Sequence, residues 1–255
     1  MAAVVILGAS SGFGAAAARA FANAGFDIVG VHLDRRGTQP AVDAVIADIV
    51  AAGRVAHFFN QNAADDGGRA QIVAALRERY AAGEVRGLLH SLAFGSLAPF
   101  VGTKQATRKQ MEMTLDVMGT SLVYWAQDLV ASGLLGEGGR IWAMTSAGSH
   151  MVWPGYGPVS AAKAVLEAAC RQLAVELAPQ GITTNAILAG VTDTAALRKI
   201  PGSDQLIAKA TARNPSRRLT TPEDVADALV LLSGPGARWI NGNVLRIDGG
   251  EDIAG

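Results

Sequence analysis

The feature that most constrains the fold is an alternation that runs from one end of the 255-residue chain to the other. Short apolar, β-branched runs ("AAVVILG", "FDIVGVHL", "RVAHFFN", "VRGLLHSLA", "GRIWAMTS", "ITTNAILAG", "NVLRIDGG") take turns with alanine-rich stretches of helical period. Runs this continuously apolar are strands buried on both faces, and a helix between consecutive strands makes them parallel. The pattern predicts one α/β domain over 1–255, a doubly wound, seven-stranded parallel sheet with helices on both faces. Right-handed crossovers then place ligands beyond the carboxyl ends of the strands. The least regular region, 190–218, is rich in Thr, Arg and Pro. It reads as an inserted flap, centred on 192–213, that is either a lid over a pocket or a surface excursion.

Composition narrows the function classes. Twenty-two basic and twenty-two acidic side chains cancel, so no global field draws the chain to nucleic acid or to an anionic membrane. The single cysteine, Cys170, lies in a helical run; an intrachain disulfide is impossible and a reducing compartment is permitted. The apolar start runs into a glycine loop without a basic leader and reads as a strand rather than a signal peptide. No uncharged apolar stretch approaches membrane-spanning length. The expectation is a soluble, cytoplasmic protein with no metal site.

Phosphate chemistry is suggested by "GASSGFG", which carries Gly8, Ser10, Ser11, Gly12, Phe13 and Gly14 between the first strand and the first helix. Gly8 permits a tight turn, Gly12 lets backbone approach a pyrophosphate, and Gly14 lets helix and strand pack closely. The N–H groups at the helix start face the phosphates. The Gly-x-x-x-Gly-x-Gly spacing resembles that of the short-chain dehydrogenase/reductase family. The resemblance continues through Asn62 and Ala63 after the third strand, "TPEDVADALVLLSG" and "INGNVLRIDGG". It implies a Rossmann fold with a nicotinamide dinucleotide lying across the sheet, its adenine near Asn62 and Ala63. At the end of the second strand the family's ribose-binding acid position is His32, followed by Asp34, Arg35 and Arg36. Two cations against one anion favour the 2′-phosphate of NADPH over NADH.

The catalytic residues are marked by "YGPVSAAK". In the family's ketone reductases tyrosine and lysine stand at i and i+4 on one helix; here Tyr156 and Lys163 are seven apart, and the intervening position is Val159. Pro158 fits only the first helical turn, which places Tyr156 just before the helix and its hydroxyl further from the nicotinamide. A trans-2-enoyl thioester takes hydride at C3 while charge develops on the thioester oxygen, and a displaced donor suits that geometry. The Tyr-x6-Lys spacing resembles the enoyl-acyl carrier protein reductase branch, in its Ser-x9-Tyr-x6-Lys form, with Ser146 as the serine. The same branch is resembled by "HSLAF" (His90, Ser91, Leu92, Ala93, Phe94), by Asp116 where the family usually has asparagine, and by "AGVTDT". The resemblance implies Ser91, Leu92 and Ala93 against the cofactor, and Gly190, Val191 and Thr192 clamping its carboxamide. It also implies Thr194 near the phosphates, Lys163 on the nicotinamide ribose, and Phe94, Leu197 and Tyr156 around the substrate. His90 is expected to be structural.

These residues imply an NAD(P)H-dependent enoyl reductase of fatty acid synthesis acting on a thioester carried by acyl carrier protein or coenzyme A, and the family implies a homotetramer. Six basic residues between 198 and 218 (Arg198, Lys199, Lys209, Arg213, Arg217, Arg218) against Asp204 offer a docking face for an acidic carrier or a solvated surface. The alternatives are a ketone or alcohol dehydrogenase of the same family and a dinucleotide-sensing protein without turnover.

Overall fold

The computed structural model describes residues 2–254. Seven strands, β1 (Ala3–Leu7), β2 (Asp27–His32), β3 (Ala56–Asn60), β4 (Val85–His90), β5 (Leu135–Thr145), β6 (Thr183–Ala189) and β7 (Val244–Ile247), form one parallel sheet in the order β3-β2-β1-β4-β5-β6-β7. Eight helices connect them: α1 (Gly12–Asn23), α2 (Gln39–Ala51), α3 (Asp66–Arg77), α4 (Arg108–Leu115), α5 (Ser121–Ala131), α6 (Gly157–Leu177), α7 (Ser203–Arg213) and α8 (Pro222–Ser233). The expected Rossmann architecture is present, and no described helix is long and apolar enough to cross a membrane.

Alternation along β1 shows how the sheet is covered on both faces. Ala3, Val5 and Leu7 pack with α3, α5 and α6 residues such as Leu76, Trp125 and Leu166. Val4 and Ile6 point the other way, into Phe21 of α1, Ile49 of α2 and Leu229 of α8. Each fully buried Leu or Ile contributes about 1.5–3 kcal/mol relative to exposure, so the central strands are pinned from both sides. The strand order reverses between β1 and β4, and the crevice there opens at the strands' carboxyl ends.

Two local devices shape that end of the molecule. Between α4 and α5 the chain makes a π-helical turn over Asp116–Thr120, a widening often found near functional sites. Gly119 lets this turn press on α6: a Cβ there would lie 3.1 Å from Val165 and 3.2 Å from the Ala162 carbonyl. The second is the 190–218 region, which is more regular than its composition suggests. It contains a short 3₁₀ turn at Leu197–Lys199 and the eleven-residue α7. Only Ala210 of α7 is buried, and the helix lies on the surface of the flap.

Candidate active site

The glycine loop follows β1 as expected, and two of its glycines are imposed by neighbours. Gly8 has φ +88°, and a Cβ on it would lie 2.4 Å from the Ser91 carbonyl oxygen. On Gly14 a Cβ would lie 2.1 Å from the Gly8 carbonyl oxygen. The loops after β1 and β4 therefore touch, and α1 starts directly against the sheet. Ser11 occupies the N-cap of α1 without a side-chain capping bond. The first-turn N–H groups are thus left for an anion, which fits a dinucleotide pyrophosphate. Thr194 closes over this loop, its methyl 3.7 Å from where a Gly12 Cβ would stand.

At the end of β2, buried His32 shares a 3.0 Å hydrogen bond between Nδ1 and Asp34 Oδ2. Asn60 brackets the Asp34 backbone, accepting its N–H and donating to its carbonyl at 3.0 Å. Burial alone would raise the Asp34 pKa, but hydrogen bonds from Thr38, Ser10 and His32 outweigh it and hold the carboxyl below its ordinary value. Asp34 is thus an anion beside the phosphate loop. Arg35 and Arg36 are exposed. After β3, the Ala63 carbonyl accepts the Trp125 indole N–H at 2.7 Å, and Asn62 Oδ1 caps the next turn through the Ala64 N–H.

A cavity of about 480 Å³ opens beyond β4, β5 and β6. Of the residues expected at the nicotinamide and the substrate, it is lined by Phe13, Ser91, Leu92, Ala93, Ser146, Tyr156 and Lys163. Gly190, Val191, Thr192, Thr194 and Leu197 complete that group. Phe94 is not brought in: its side chain is 61% exposed, and Gly95 and Leu97 line the wall instead. The loop after β4 turns its first three side chains, Ser91 to Ala93, to the cavity and Phe94 to solvent.

Tyr156 stands at the N-cap of α6, with Pro158 in the first turn and Lys163 in the second. Its ring is wedged against Gly148, where a Cβ would lie 2.5 Å away. Burial raises the phenol pKa, and the neighbouring Ser146 hydroxyl pulls it back. The Ser146 oxygen is itself buried and falls short of a well-formed hydrogen bond. Tyr156 is therefore a neutral donor at physiological pH. Lys163 is 5% exposed and donates to the Met144 carbonyl at 2.7 Å. Burial pushes its pKa down to about 8, against the favourable charge of Glu167, so it remains mostly an ammonium at pH 7. Glu167 is oriented by the Thr145 hydroxyl at 2.6 Å.

The space a tyrosine would need at the four-residue spacing is filled. Val159 is 4% exposed and packs with Val117, Met118 and Ala162. A Cβ on Gly95 would already lie 3.1 Å from its methyl. His90 is fully buried, its Nε2 2.9 Å from the Ser121 hydroxyl, which donates to the Val117 carbonyl. Since the hydroxyl hydrogen is used on Val117, Nε2 carries the imidazole proton. Burial and then the charge of Lys163 push the His90 pKa down to about 3. It stays neutral and ties β4 to the π-helical turn.

The flap is latched at its base: the Trp153 indole donates to the Pro201 carbonyl at 3.2 Å, and the Lys209 ammonium lies 5.6 Å from the Trp153 ring centre. Its basic surface is weaker than the sequence count. Arg198 is held by Asp193 and Asp204, and Arg218 by Asp224. Arg213 donates to the carbonyls of Asp252 and Ala254.

A family model described as enoyl-(acyl carrier protein) reductase matches residues 8–251. The NADH-dependent enoyl-acyl carrier protein reductase of Aquifex aeolicus is 33% identical over 169 residues, covering 66% of this chain and 62% of that protein. The chain thus aligns with less than two thirds of that relative's length. An uncharacterized oxidoreductase of Mycobacterium tuberculosis is 32% identical over 96% of this chain and 90% of its own. Among solved structures, the Bacillus cereus enoyl-acyl carrier protein reductase with NADP⁺ superposes with a TM-score of 0.88 at 25% identity, covering 100% of this chain and 97% of that one.

Proposed function

The chain belongs to the short-chain dehydrogenase/reductase family, in its enoyl-acyl carrier protein reductase branch, and from that membership we propose that it reduces the trans-2 double bond of an enoyl thioester. The observation that carries this reading is the position of Tyr156 outside α6, with buried Val159 filling the place from which a ketone reductase would donate. A bound nicotinamide dinucleotide supplies the hydride, delivered to C3. Tyr156 donates a hydrogen bond to the thioester oxygen as the enolate forms. The Lys163 ammonium, with donors beyond the one on Met144, would hold the nicotinamide ribose and favour negative charge on the nearby oxygen. A proton added at C2 completes the saturated thioester. The apolar wall made by Leu97, Met118, Met151 and Val152 is suited to an acyl chain. On the family resemblance we also place the enzyme in fatty acid synthesis, as a cytoplasmic homotetramer taking its substrate from acyl carrier protein or coenzyme A.

For the cofactor, the comparison proteins include one named for NADH and one holding NADP⁺. We propose NADPH, because Asp34 is already engaged by His32 while Arg35 and Arg36 stand exposed where a 2′-phosphate would lie. Reversing both charges (Arg35→Glu with Arg36→Glu) is expected to raise the KM for NADPH by at least about tenfold, since hydrogen bonds to charged groups contribute about 1.5–3 kcal/mol. The KM for NADH should barely move. A wild-type preference for NADH would give the decision to Asp34 instead.

The direct test of function is dinucleotide oxidation with crotonyl and acetoacetyl thioesters in parallel. A second reading, carbonyl reduction, is favoured only by the Ser146 hydroxyl beside Tyr156. Faster turnover of the acetoacetyl substrate would select it.

A further inference from the structure

One carboxylate in the cavity takes no part in that chemistry. Glu251, just past β7, reaches back to accept the Val191 N–H with its two oxygens at 3.1 and 3.3 Å. It lines the cavity and lies against Gly190, whose Cβ would come within 2.9 Å of Oε2. Burial raises its pKa, the Val191 bond opposes that, Asp248 and Asp252 add to the rise, and Arg213 reduces it. No cation forms an ion pair with Glu251 among the described residues, and Arg213 acts on it only from a distance. Arg246 pairs with Asp252, which also shares a hydrogen bond with His150, and Arg213 donates to two backbone carbonyls. Val191 is the one hydrogen-bond donor to the Glu251 carboxylate among the described residues. A half-buried carboxylate without a counter-ion is costly, and a cation entering the cavity relieves it.

We infer that Glu251 is a further residue of the cofactor site, an anion that favours the positively charged oxidised nicotinamide over the neutral reduced form. The inference rests on the reading that Val191 meets the carboxamide end of a nicotinamide dinucleotide. The backbone bond to Val191 fixes the carboxylate at that end, and at least two acceptor positions remain for the carboxamide amino group. The reduced ring is neutral and gains nothing from the charge. The oxidised ring is cationic and does. Positive charge develops on the ring as hydride leaves, so the same field assists hydride donation.

The test is the pair of dissociation constants for oxidised and reduced dinucleotide, measured by titration on the whole chain. Glu251→Gln keeps the shape of the side chain and an oxygen for the Val191 N–H. It is expected to weaken the oxidised form about tenfold, in keeping with loss of one unit charge in a partly desolvated site. The reduced form should change by less than about twofold, since it presents no charge to the carboxylate. Glu251→Asp should keep most of the discrimination. Equal weakening of both forms, or no change in either, overturns the charge role. Wild-type protein that binds neither form overturns the dinucleotide reading and this inference with it.

Discussion

Tyr156→Phe should slow reduction of a crotonyl thioester by about 10²–10³, the usual cost of removing one preorganised donor from a developing oxyanion. The substitution keeps the ring wedged against Gly148 and removes one hydroxyl that neighbours Ser146. Folding and dinucleotide binding should therefore be close to wild type, and the loss should appear in kcat rather than in the cofactor KM. Unchanged turnover would mean that another group, with Ser146 the nearest, stabilises the oxygen. A parallel loss of cofactor affinity would mean that the hydroxyl holds the nicotinamide ribose instead.

The second large effect is expected at Gly14. An added methyl would sit 2.1 Å from the Gly8 carbonyl oxygen and 2.9 Å from its carbon, both backbone atoms, so α1 or the loop must move. Overpacking of this kind costs about 1–3 kcal/mol, and in a domain of this size each kcal/mol lowers Tm by about 2–4 °C. The displaced loop also misplaces the N–H groups of the first turn. Gly14→Ala should thus lose dinucleotide binding by at least about tenfold, with a lowered melting temperature. Gly12 is the contrast, since a Cβ there meets only the Thr194 methyl at 3.7 Å. Gly12→Ala carries the strain of φ +51° without the collision, and should melt closer to wild type. Equal melting of Gly14→Ala and wild type would contradict the packing described for α1.

The strands were legible because parallel, doubly covered β-structure requires continuous apolar runs, and "VVIL" or "NAIL" cannot be much else between glycine turns. Tyr156 was placed correctly for a local reason, the restriction of Pro158 to a first helical turn. What the sequence hid is long-range or weakly patterned. α7 stands in a stretch rich in Thr, Arg and Pro, whose composition reads as a loop although Leu206, Ile207 and Ala210 share a helix face. Arg198 and Arg218 looked like free cations because a count over 198–218 omits Asp193 and Asp224 and cannot show that Asp204 also meets Arg198. Phe94 looked like a pocket wall from its motif, but which side chains of an extended loop face inward depends on how the loop leaves β4. Glu251 gave no signal at all. An acid after two glycines is ordinary turn composition, and only folding brings it to Val191. Nor could the sequence show that His32 pairs with Asp34.

Whether this site reduces a carbon–carbon double bond and leaves a ketone alone is decided by a labelled competition. The wild-type chain would be given dinucleotide carrying deuterium at the transferred position, with crotonyl and acetoacetyl thioesters at equal concentration, and the products read by mass spectrometry. Butyryl thioester is expected, with one deuterium at C3 and a hydrogen from solvent at C2. Deuterium in 3-hydroxybutyryl thioester, with the crotonyl substrate untouched, would contradict the double-bond reading.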